Sequence, residues 1–210
     1  MGKIRLNKEI ICQTSIALVA EAGIENLTMR KLATRLDIKA ASLYNHVRSK
    51  SQLFDLIQGY LYGKMANLKQ TKEWKSHLTE LACCTRQGLL QNPSLLTLFA
   101  TRPVITAASL AQAEQTIGVL IEAGFQHSKA LMIFHNVNVF VLGHVLAEVG
   151  RPPGAEQDDQ DPTLENINVD DYPRLKKASQ YKNNTNADKG FNFGLRCMLA
   201  GLEIILLGEV

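Results

Sequence analysis

The sequence predicts an all-α protein, and three observations lead to that prediction. Apolar residues recur at spacings of three and four along most of the chain, which is the period of a helix with one buried face. Capping residues and glycines stand where these segments begin and end. The apolar–polar alternation that is typical of a half-buried strand does not occur in the 210 residues. Helices packed on helices are therefore the expected architecture.

The N-terminal third of the chain predicts four helices with recognisable ends. Asn7 can cap a first helix that stops at Gly23, and Thr28 can cap a second helix. Leu32, Ala33 and Leu36 would form the buried stripe of that second helix. A third, short helix follows. Residues 49–52 match a capping box, which predicts a fourth helix that reaches about residue 68.

The remainder predicts further helices separated by polar breaks. A polar run at 69–75 marks a joint, and the acidic segment 156–171, which lacks periodicity, is interpreted as a solvated loop. Asn92 is interpreted as a helix cap because Pro93 follows it at the first helical position. The other predicted helices are 74–90, 105–123, 128–149, 172–181 and 188–207.

The region from Leu27 to Lys50 predicts a helix-turn-helix, in which the second helix enters the DNA major groove. Asp37 can end the first of its two helices, and Leu43 and Val47 are the apolar anchors of the second. The remaining side chains of this second helix would face outward, towards base edges and phosphates: Lys39, Ala40, Ser42, Tyr44, Asn45 and His46.

Charge is distributed in a way that agrees with DNA binding. Residues 1–64 contain ten Lys or Arg and five Asp or Glu, whereas the rest contains 13 basic and 15 acidic residues. A basic N-terminal segment on a weakly acidic body is typical of a domain that contacts phosphates.

Other classes of protein receive little support. The first ten residues show no signal-peptide pattern, and the four cysteines lack metal-binding spacing, so a cytoplasmic protein with reduced thiols is expected. The apolar stretch 131–149 contains His, Asn and Glu residues and is interpreted as a buried helix, not a membrane span. No nucleophile–base pair points to an enzyme, and neither a cofactor nor a metal is expected.

The first 64 residues resemble the DNA-binding domain of the TetR family of transcriptional regulators. The segments that carry this resemblance are 23–28, 30–33 and 43–47, together with Lys50 and Leu53. Segments 101–103, 122–125, 139–146, 191–195 and 201–203 resemble the ligand-binding domain of the tetracycline repressors of that family. The resemblance implies a helix-turn-helix domain at 1–50, a connecting helix at 49–68, and a ligand-binding and dimerisation domain at 69–210.

The resemblance also implies roles in DNA binding. Thr28, Arg30 and Lys31 would flank the groove, the exposed residues of the third helix would enter it, and Lys50 would contact a phosphate. Ala40, Asn45 and two further positions differ from the tetracycline repressors, so the operator sequence is expected to differ as well.

A small-molecule effector is the second implied partner. Tetracycline repressors hold a tetracycline–magnesium complex with a histidine of their own chain and with a glutamate from the partner subunit. The histidine position is Leu98 here, and the glutamate position is Ala147. Neither side chain can coordinate Mg²⁺, so another effector, aromatic or amphipathic, is expected. The implied ligand-binding residues are Leu98, Thr101, Arg102, Glu114, Phe134, His135 and Asn138.

At several of these positions a purely structural role is an alternative to ligand binding. His135 lies on an apolar helix, where a core histidine is as plausible as a ligand-binding one. Thr101 and Arg102 could simply shape a turn, and Glu114 could be a solvated helix residue.

The third implied partner is a second copy of the chain. Helices 128–149 and 188–207 would form a four-helix interface, which places two recognition helices about 34–36 Å apart on double-stranded operator DNA. The expected function is therefore a dimeric, ligand-responsive repressor. A constitutive DNA-binding regulator and a helical small-molecule-binding protein are the alternatives. The implied interface residues are Leu142, Leu195, Met198, Leu199 and Leu202.

Overall fold

The structure is a computed structural model that describes residues 6–65, 71–150, 171–179 and 187–208. The regular elements in these ranges are α-helices and short 3-10 turns, and the described residues contain no strand. This confirms the predicted all-α fold class. The α-helices are α1 Lys8–Ala22, α2 Met29–Arg35, α3 Ala40–Tyr44, α4 Lys50–Met65, α5 Trp74–Leu90, α6 Leu96–Thr101, α7 Ala107–Glu122, α8 His127–Val149, α9 Pro173–Ser179 and α10 Ala187–Leu207, and a 3-10 turn at Pro93–Leu95 precedes α6.

The chain divides into two compact units, Met1–Gly154 and Ala155–Val210. The first unit contains α1 to α8 and both candidate sites described below. The second contains α9 and α10. The division into domains that the sequence predicts, with a joint near residue 69, remains a prediction.

Local capping interactions explain why the early helices start and stop where they do. The Asn7 Oδ1 accepts the Ile10 N–H at 2.9 Å, and the Thr28 Oγ1 accepts the Lys31 N–H at 3.2 Å. Gly23 ends α1 with a φ of 82°, a left-handed value that a side chain would disfavour. These ends agree with the sequence predictions.

Some predicted boundaries differ from the observed ones. Asn92 precedes the 3-10 turn, but it makes no capping bond because its Nδ2 donates to the Gly88 carbonyl instead, at 2.9 Å. Helix α7 starts two residues later than predicted, since Thr106 and Ser109 form a reciprocal capping box. Helix α8 starts one residue earlier. The predicted continuation of α4 to residue 68, the end of the helix at 181 and the acidic segment up to residue 170 lie outside the described residues.

Buried leucines and isoleucines join the first four helices to α6. Leu32 of α2, Leu43 of α3 and Ile57 of α4 are fully buried in one cluster. Leu98 of α6 belongs to the same cluster and is 2% exposed. The core of the DNA-binding segment therefore extends into the element that precedes α7.

Helix α8 packs against both α5 and α7. Its buried face runs from Ala130 to Val145 at spacings of three and four residues. Of the described helices, α8 and α10 are long and apolar enough to cross a membrane when only length and composition are considered. Because α8 buries this face between two other helices of its own unit, we interpret it as a core helix.

A histidine lies inside the packed layer of α5 and α7. His77 is fully buried, and its Nε2 lies 3.0 Å from the Thr116 hydroxyl. Burial lowers the pKa of His77, and the negative charge of Glu80 opposes that effect only in part. The imidazole is therefore uncharged in the folded protein at neutral pH.

We predict that this buried histidine makes stability fall in mild acid. Below about pH 6.5 the unfolded chain protonates this imidazole while the folded chain does not, so the free energy of unfolding decreases as the pH drops towards the folded pKa. The slope for one such group cannot exceed about 1.4 kcal/mol per pH unit. Urea unfolding at about pH 8 and about pH 5.5 measures it.

The double substitution His77→Leu with Thr116→Val should flatten this pH dependence, because it removes both polar partners. His127→Gln, at an exposed histidine on α8, is the control and should keep the slope of the unchanged protein. Identical slopes for both variants would contradict the assignment to His77.

Candidate DNA-binding and ligand-binding sites

A tight turn between α2 and α3 orients the predicted recognition helix. Asp37 has a φ of 53°, in the left-handed region where Asp is among the better tolerated side chains. The Ile38 N–H donates to the Ala33 carbonyl at 3.0 Å, and the Asp37 N–H donates to the Thr34 carbonyl at 3.1 Å. These bonds satisfy the last carbonyls of α2 and fix the direction in which the chain enters α3.

Two apolar side chains hold α3 against the core. The helix has five residues, Ala40–Tyr44, which is about one and a half turns. Leu43 is fully buried, and Val47 is 1% exposed in the turn that follows the helix, not within it. Anchoring on one side leaves the opposite side of α3 facing solvent.

The structure exposes nearly every residue that the sequence assigns to DNA. Lys50 is half-buried at the first position of α4, and its Nζ lies 5.5 Å from the centre of the Phe54 ring. The packing restricts this side chain beside the helix N-terminus. The exposed members of the predicted set are Thr28, Arg30, Lys31, Lys39, Ala40, Ser42, Tyr44, Asn45 and His46.

A cavity of about 370 Å³ lies among α4, α5, the segment after α6, and α8. Its walls are mainly apolar and aromatic, and the rings of Tyr62 and Phe99 stack with centroids 6.1 Å apart. The residues that line the cavity are Tyr62, Met65, Thr85, Leu89, Phe99, Arg102, Pro103, Val104, Ile105, Phe134, His135, Asn138, Val139 and Leu142.

Polar atoms are few in this cavity, and some have no partner among the described residues. The Asn138 Nδ2 donates to the Phe134 carbonyl at 2.8 Å, and the Tyr62 hydroxyl lies 3.5 Å from the Asn138 Oδ1. Burial raises the pKa of Tyr62, so its hydroxyl keeps its proton. The Thr85 Oγ1 and the Arg102 Nε are buried without a hydrogen-bond partner in the described part of the chain.

Four of the seven predicted ligand-binding residues line this cavity, and three lie elsewhere. Leu98 is buried in the N-terminal core, in one cluster with apolar residues of α1 to α4. Thr101 is exposed, and its hydroxyl donates to the Thr97 carbonyl at 2.7 Å. Glu114 is exposed on α7 and lies outside the lining, as the solvated alternative expected. Arg102, Phe134, His135 and Asn138 are the four in the lining.

Sequence reasoning missed Tyr62, Thr85 and Phe99. They come from three successive helices, α4, α5 and α6, and no periodic spacing within one helix connects them. Only the packing of α4, α5 and α6 brings these side chains to one wall.

Arg102 connects the cavity to α4. One terminal guanidinium nitrogen donates to the Ser51 Oγ at 2.9 Å and to the Asp55 Oδ1 at 3.0 Å. The guanidinium carbon also lies 5.5 Å from the centre of the Phe54 ring. A second link runs from the Gln58 Nε2 to the Leu98 carbonyl at 3.4 Å, which satisfies one of the last carbonyls of α6.

The candidate interface helices expose apolar side chains. On α8, Met132 is 62% exposed and Val139 is 54% exposed. On α10, Phe193 and Leu207 are exposed, and three predicted interface residues, Met198, Leu199 and Leu202, are half-buried.

Two other predicted interface residues are placed differently. Leu195 is 3% exposed in the single chain, and Leu142 lines the cavity.

A helix-turn-helix with an outward-facing recognition helix, joined to a helical domain with an apolar cavity, defines a ligand-binding transcriptional regulator. Residues 11–57 match the family of bacterial regulatory proteins called the tetR family, and residues 68–206 match the tetracycline repressor-like C-terminal domain. The chain belongs to the TetR family of transcriptional regulators. The predicted family is thereby confirmed.

Individual relatives agree with this assignment. The class E tetracycline repressor of Escherichia coli is 32% identical over 95% of this chain and 92% of its own length. A crystal structure of a possible TetR-family regulator from Streptomyces coelicolor is 27% identical, with a TM-score of 0.78 over 95% of this chain and all of that chain. ActR from Streptomyces coelicolor, solved in complex with actinorhodin, shares the fold at 23% identity, with a TM-score of 0.78 over 98% of both chains. Members of this family are DNA-binding regulators with a ligand-binding C-terminal domain.

We predict that Lys50 and Asn45 affect DNA binding in different ways. Lys50→Ala should weaken binding to all operator sequences and lower the slope of log affinity against log salt by about one, because one phosphate contact is lost. Asn45→Ala should cost about 1–3 kcal/mol at one or two base pairs only, because a base-edge contact is lost. Binding to a randomised operator library at several salt concentrations measures both effects. If both variants gave the same profile across the library, the two roles would be wrongly assigned.

Proposed function

We propose that this protein is a dimeric repressor that binds a palindromic operator and is released from it by a small-molecule effector other than tetracycline–magnesium. The observation that supports this proposal most directly is the position of Arg102 between the cavity and α4. Arg102 lines the cavity, and its terminal nitrogen binds Ser51 and Asp55 on α4, the helix that begins at the predicted phosphate-binding Lys50. One side chain thus belongs to the ligand site and also holds the DNA-binding segment.

The cavity favours an aromatic effector with a hydrogen-bond acceptor. Tyr62, Phe99 and Phe134 supply aromatic walls, and Phe134, His135 and Asn138 are the ligand-binding residues that we retain from the sequence prediction. The unpartnered Arg102 Nε can donate to a carbonyl or phenol oxygen. We propose that stacking on the rings and this donation together select the ligand.

Tetracycline with magnesium fits this site poorly. The side chain of Leu98 lies in the core, and Ala147 offers no lone pair. In the described residues, no group of three or more His, Cys, Asp or Glu side chains could hold a metal ion. A hard divalent cation would therefore lack the oxygen and nitrogen ligands that it needs.

The links from α6 to α4 supply a route from the cavity to DNA. We propose that an effector which engages the Arg102 Nε draws the guanidinium away from Asp55, so that α4 moves and the recognition helices lose their spacing. Such a shift requires that the effector bind one state more tightly than the other.

Regulators of this family dimerise, and we propose that α8 and α10 of each chain pack on their counterparts in a second copy. The exposed Leu131, Met132 and Leu146 on α8 and the exposed Ile204 and Leu207 on α10 support this arrangement. Burying these side chains in a symmetric interface would remove them from water, where apolar surface is unfavourable. We also propose that the dimer is cytoplasmic.

We predict that tetracycline with Mg²⁺ binds this protein weakly and without dependence on magnesium. Isothermal titration calorimetry with tetracycline, in the presence of Mg²⁺ or of a chelator, measures this directly. The class E repressor of Escherichia coli is the positive control. Tight, magnesium-dependent binding to this chain would overturn the proposed effector class.

We predict that Asp55→Asn weakens operator binding in the absence of any effector by about threefold to tenfold, a coupling free energy of about 1 kcal/mol. The amide holds the Arg102 guanidinium less strongly, so α4 is less restrained. The salt dependence of binding should stay the same, because no phosphate contact is lost.

Glu21→Gln provides the matched control for this change of charge. Glu21 is a half-exposed carboxylate that pairs with Arg35 in the same DNA-binding segment. Removing a negative charge near DNA should slightly tighten operator binding there. If Asp55→Asn tightened binding as well, Arg102 would not be holding α4 in place.

We predict that Leu202→Glu converts the dimer into monomers and reduces operator binding to the level of a single half-site. A half-buried leucine on α10 that becomes charged cannot be packed into an apolar interface without a large desolvation cost. Analytical ultracentrifugation and an operator-binding assay measure the two effects. Arg196→Glu, at an exposed position of the same helix, is the control for added negative charge. An intact Leu202→Glu dimer would move the interface elsewhere.

A further inference from the structure

A second cavity, of about 250 Å³, lies between α4 and the C-terminal half of α5. Its walls differ from those of the aromatic cavity, because they carry the side-chain amides of Gln87, Gln91 and Asn92. Gln87 and Gln91 are exposed, so this cavity opens to solvent on the outer side of the two helices. We call it the polar annex.

Met65 of α4 separates the polar annex from the aromatic cavity. Among the described residues, it alone lines both cavities. Its side chain is buried, with 6% of the residue exposed. One thioether side chain therefore stands between a compartment with aromatic walls and a compartment with amide walls.

Gly88 of α5 gives this methionine its place. A Cβ atom at position 88 would lie 2.5 Å from the Met65 Cγ and 2.6 Å from its Sδ, which is too close for any side chain. Glycine inside a helix is less stable than alanine, so the close packing of Met65 explains the residue at this position.

Met65 can leave its place over Gly88. Methionine is unbranched and has three rotatable side-chain bonds, so it adapts to the space that its neighbours leave. When the side chain turns away, no side chain of residue 88 fills the slot, and the two cavities become continuous. Ligand sites usually enclose about 300–1,000 Å³. The annex alone is smaller than that range, whereas the two cavities together lie within it.

The amides of the polar annex are available for hydrogen bonds. The side chains of Gln87 and Gln91 make none within the described part of the chain. The Asn92 Nδ2 donates to the Gly88 carbonyl at 2.9 Å, which leaves its Oδ1 as an acceptor. A carboxamide donates and accepts, and so does a hydroxyl group. Neighbouring amides therefore match a group that carries several hydroxyls.

The polar annex favours an uncharged group. Lys64 is the charged residue among its described lining residues. The Lys64 Nζ lies 4.5 Å from the centre of the Tyr60 ring, and a hydrogen bond with Tyr60 raises the pKa of this lysine. Tyr60 does not line the annex, so the ammonium group is engaged outside it. An anionic group in the annex would find no free cation there.

We propose that the polar annex is a second compartment of the effector site, and that it binds a sugar-like, polyhydroxyl group attached to an aromatic effector. The aromatic part fills the cavity beside Tyr62 and Phe99, and the attached group passes through the slot that Met65 vacates over Gly88. The inference rests on the proposed ligand-responsive function and specifies the chemical class of the effector. Because the annex opens to solvent, hydroxyls that do not meet an amide stay hydrated.

A pair of naphthalene probes tests the attached group. 2-Naphthyl β-D-glucoside carries a sugar on the same rings and the same oxygen as 2-naphthol. Calorimetry with the full-length protein should show at least about tenfold tighter binding of the glucoside, because the sugar adds hydrogen bonds in the annex. Absence of glucoside binding, or equal affinity for the two probes, would overturn the proposal.

The double substitution Gln87→Ala with Gln91→Ala tests where the sugar lies. Both residues are exposed, so the variant should fold as the unchanged protein does. We expect its affinity for the glucoside to fall about tenfold, to the level of 2-naphthol, and its affinity for 2-naphthol to stay the same. Gln126→Ala, at an exposed glutamine before α8 that lines neither cavity, is the control and should change neither affinity.

Met65→Ala tests the slot. Without the methionine side chain nothing has to be displaced, so the glucoside should bind about threefold tighter or more, while 2-naphthol should gain nothing. Equal gains for both probes would show that the substitution only enlarges the aromatic cavity and would overturn the role of Met65. The glutamine variant decides the location of the sugar even if Met65→Ala does not fold.

These experiments separate the inference from the proposed function. An unchanged ratio of the two probe affinities in the glutamine variant would overturn the inference, whether or not effectors release the operator. A ratio that falls to about one would support it. If the glucoside then left operator binding of the unchanged protein intact, the release mechanism would be wrong and not the assignment of the annex.

Discussion

The position of α6 is the constraint on which both sites depend. This helix has only six residues, yet one of its faces lies in the N-terminal core and another faces the cavity. Leu98 completes the apolar core formed by α1 to α4, while Phe99 faces the cavity and stacks on Tyr62. The Leu98 carbonyl is held by Gln58, and Arg102 follows immediately with its bonds to α4. Any displacement of this short helix must therefore disturb the DNA-binding core and the ligand site together.

Local chemistry made the helices predictable. Asn7 and Thr28 have side chains that can cap a helix N-terminus, and Gly23 lacks the side chain that would disfavour a positive φ. In the structure all three stand at the predicted helix ends. Asn92 illustrates the limit of this reasoning, because it offered the right residue before a proline but bonds to the preceding helix. The outward face of α3 was also predictable, since the two anchors Leu43 and Val47 determine by elimination which residues remain exposed.

The cavity could be predicted only in part, for a geometric reason. The resemblance implied Phe134, His135 and Asn138, and because they share one helix their spacing places them on neighbouring faces of it. Tyr62, Thr85 and Phe99 meet them only after several helices have packed, and no pattern within the chain encodes that meeting. Leu98 and Glu114, which the resemblance assigns to the ligand, lie outside the cavity lining. Leu98 adjoins the lining residue Phe99, but its side chain is buried in the core, and Glu114 is exposed on α7, which contributes no described side chain to the cavity wall.

The apolar surface of α10 has a consequence for how much of this regulator a cell must make. Phe193, Ile204 and Leu207 are exposed on the single chain, and the proposed dimer buries apolar residues of this helix against a second copy. Pairing follows mass action, so the fraction of paired chains rises with the amount of chain synthesised. At low copy number, a promoter under its control would be occupied less than in proportion to the number of molecules. In the proposed dimeric repressor, gene dosage therefore enters the regulation as a second variable, independent of any effector.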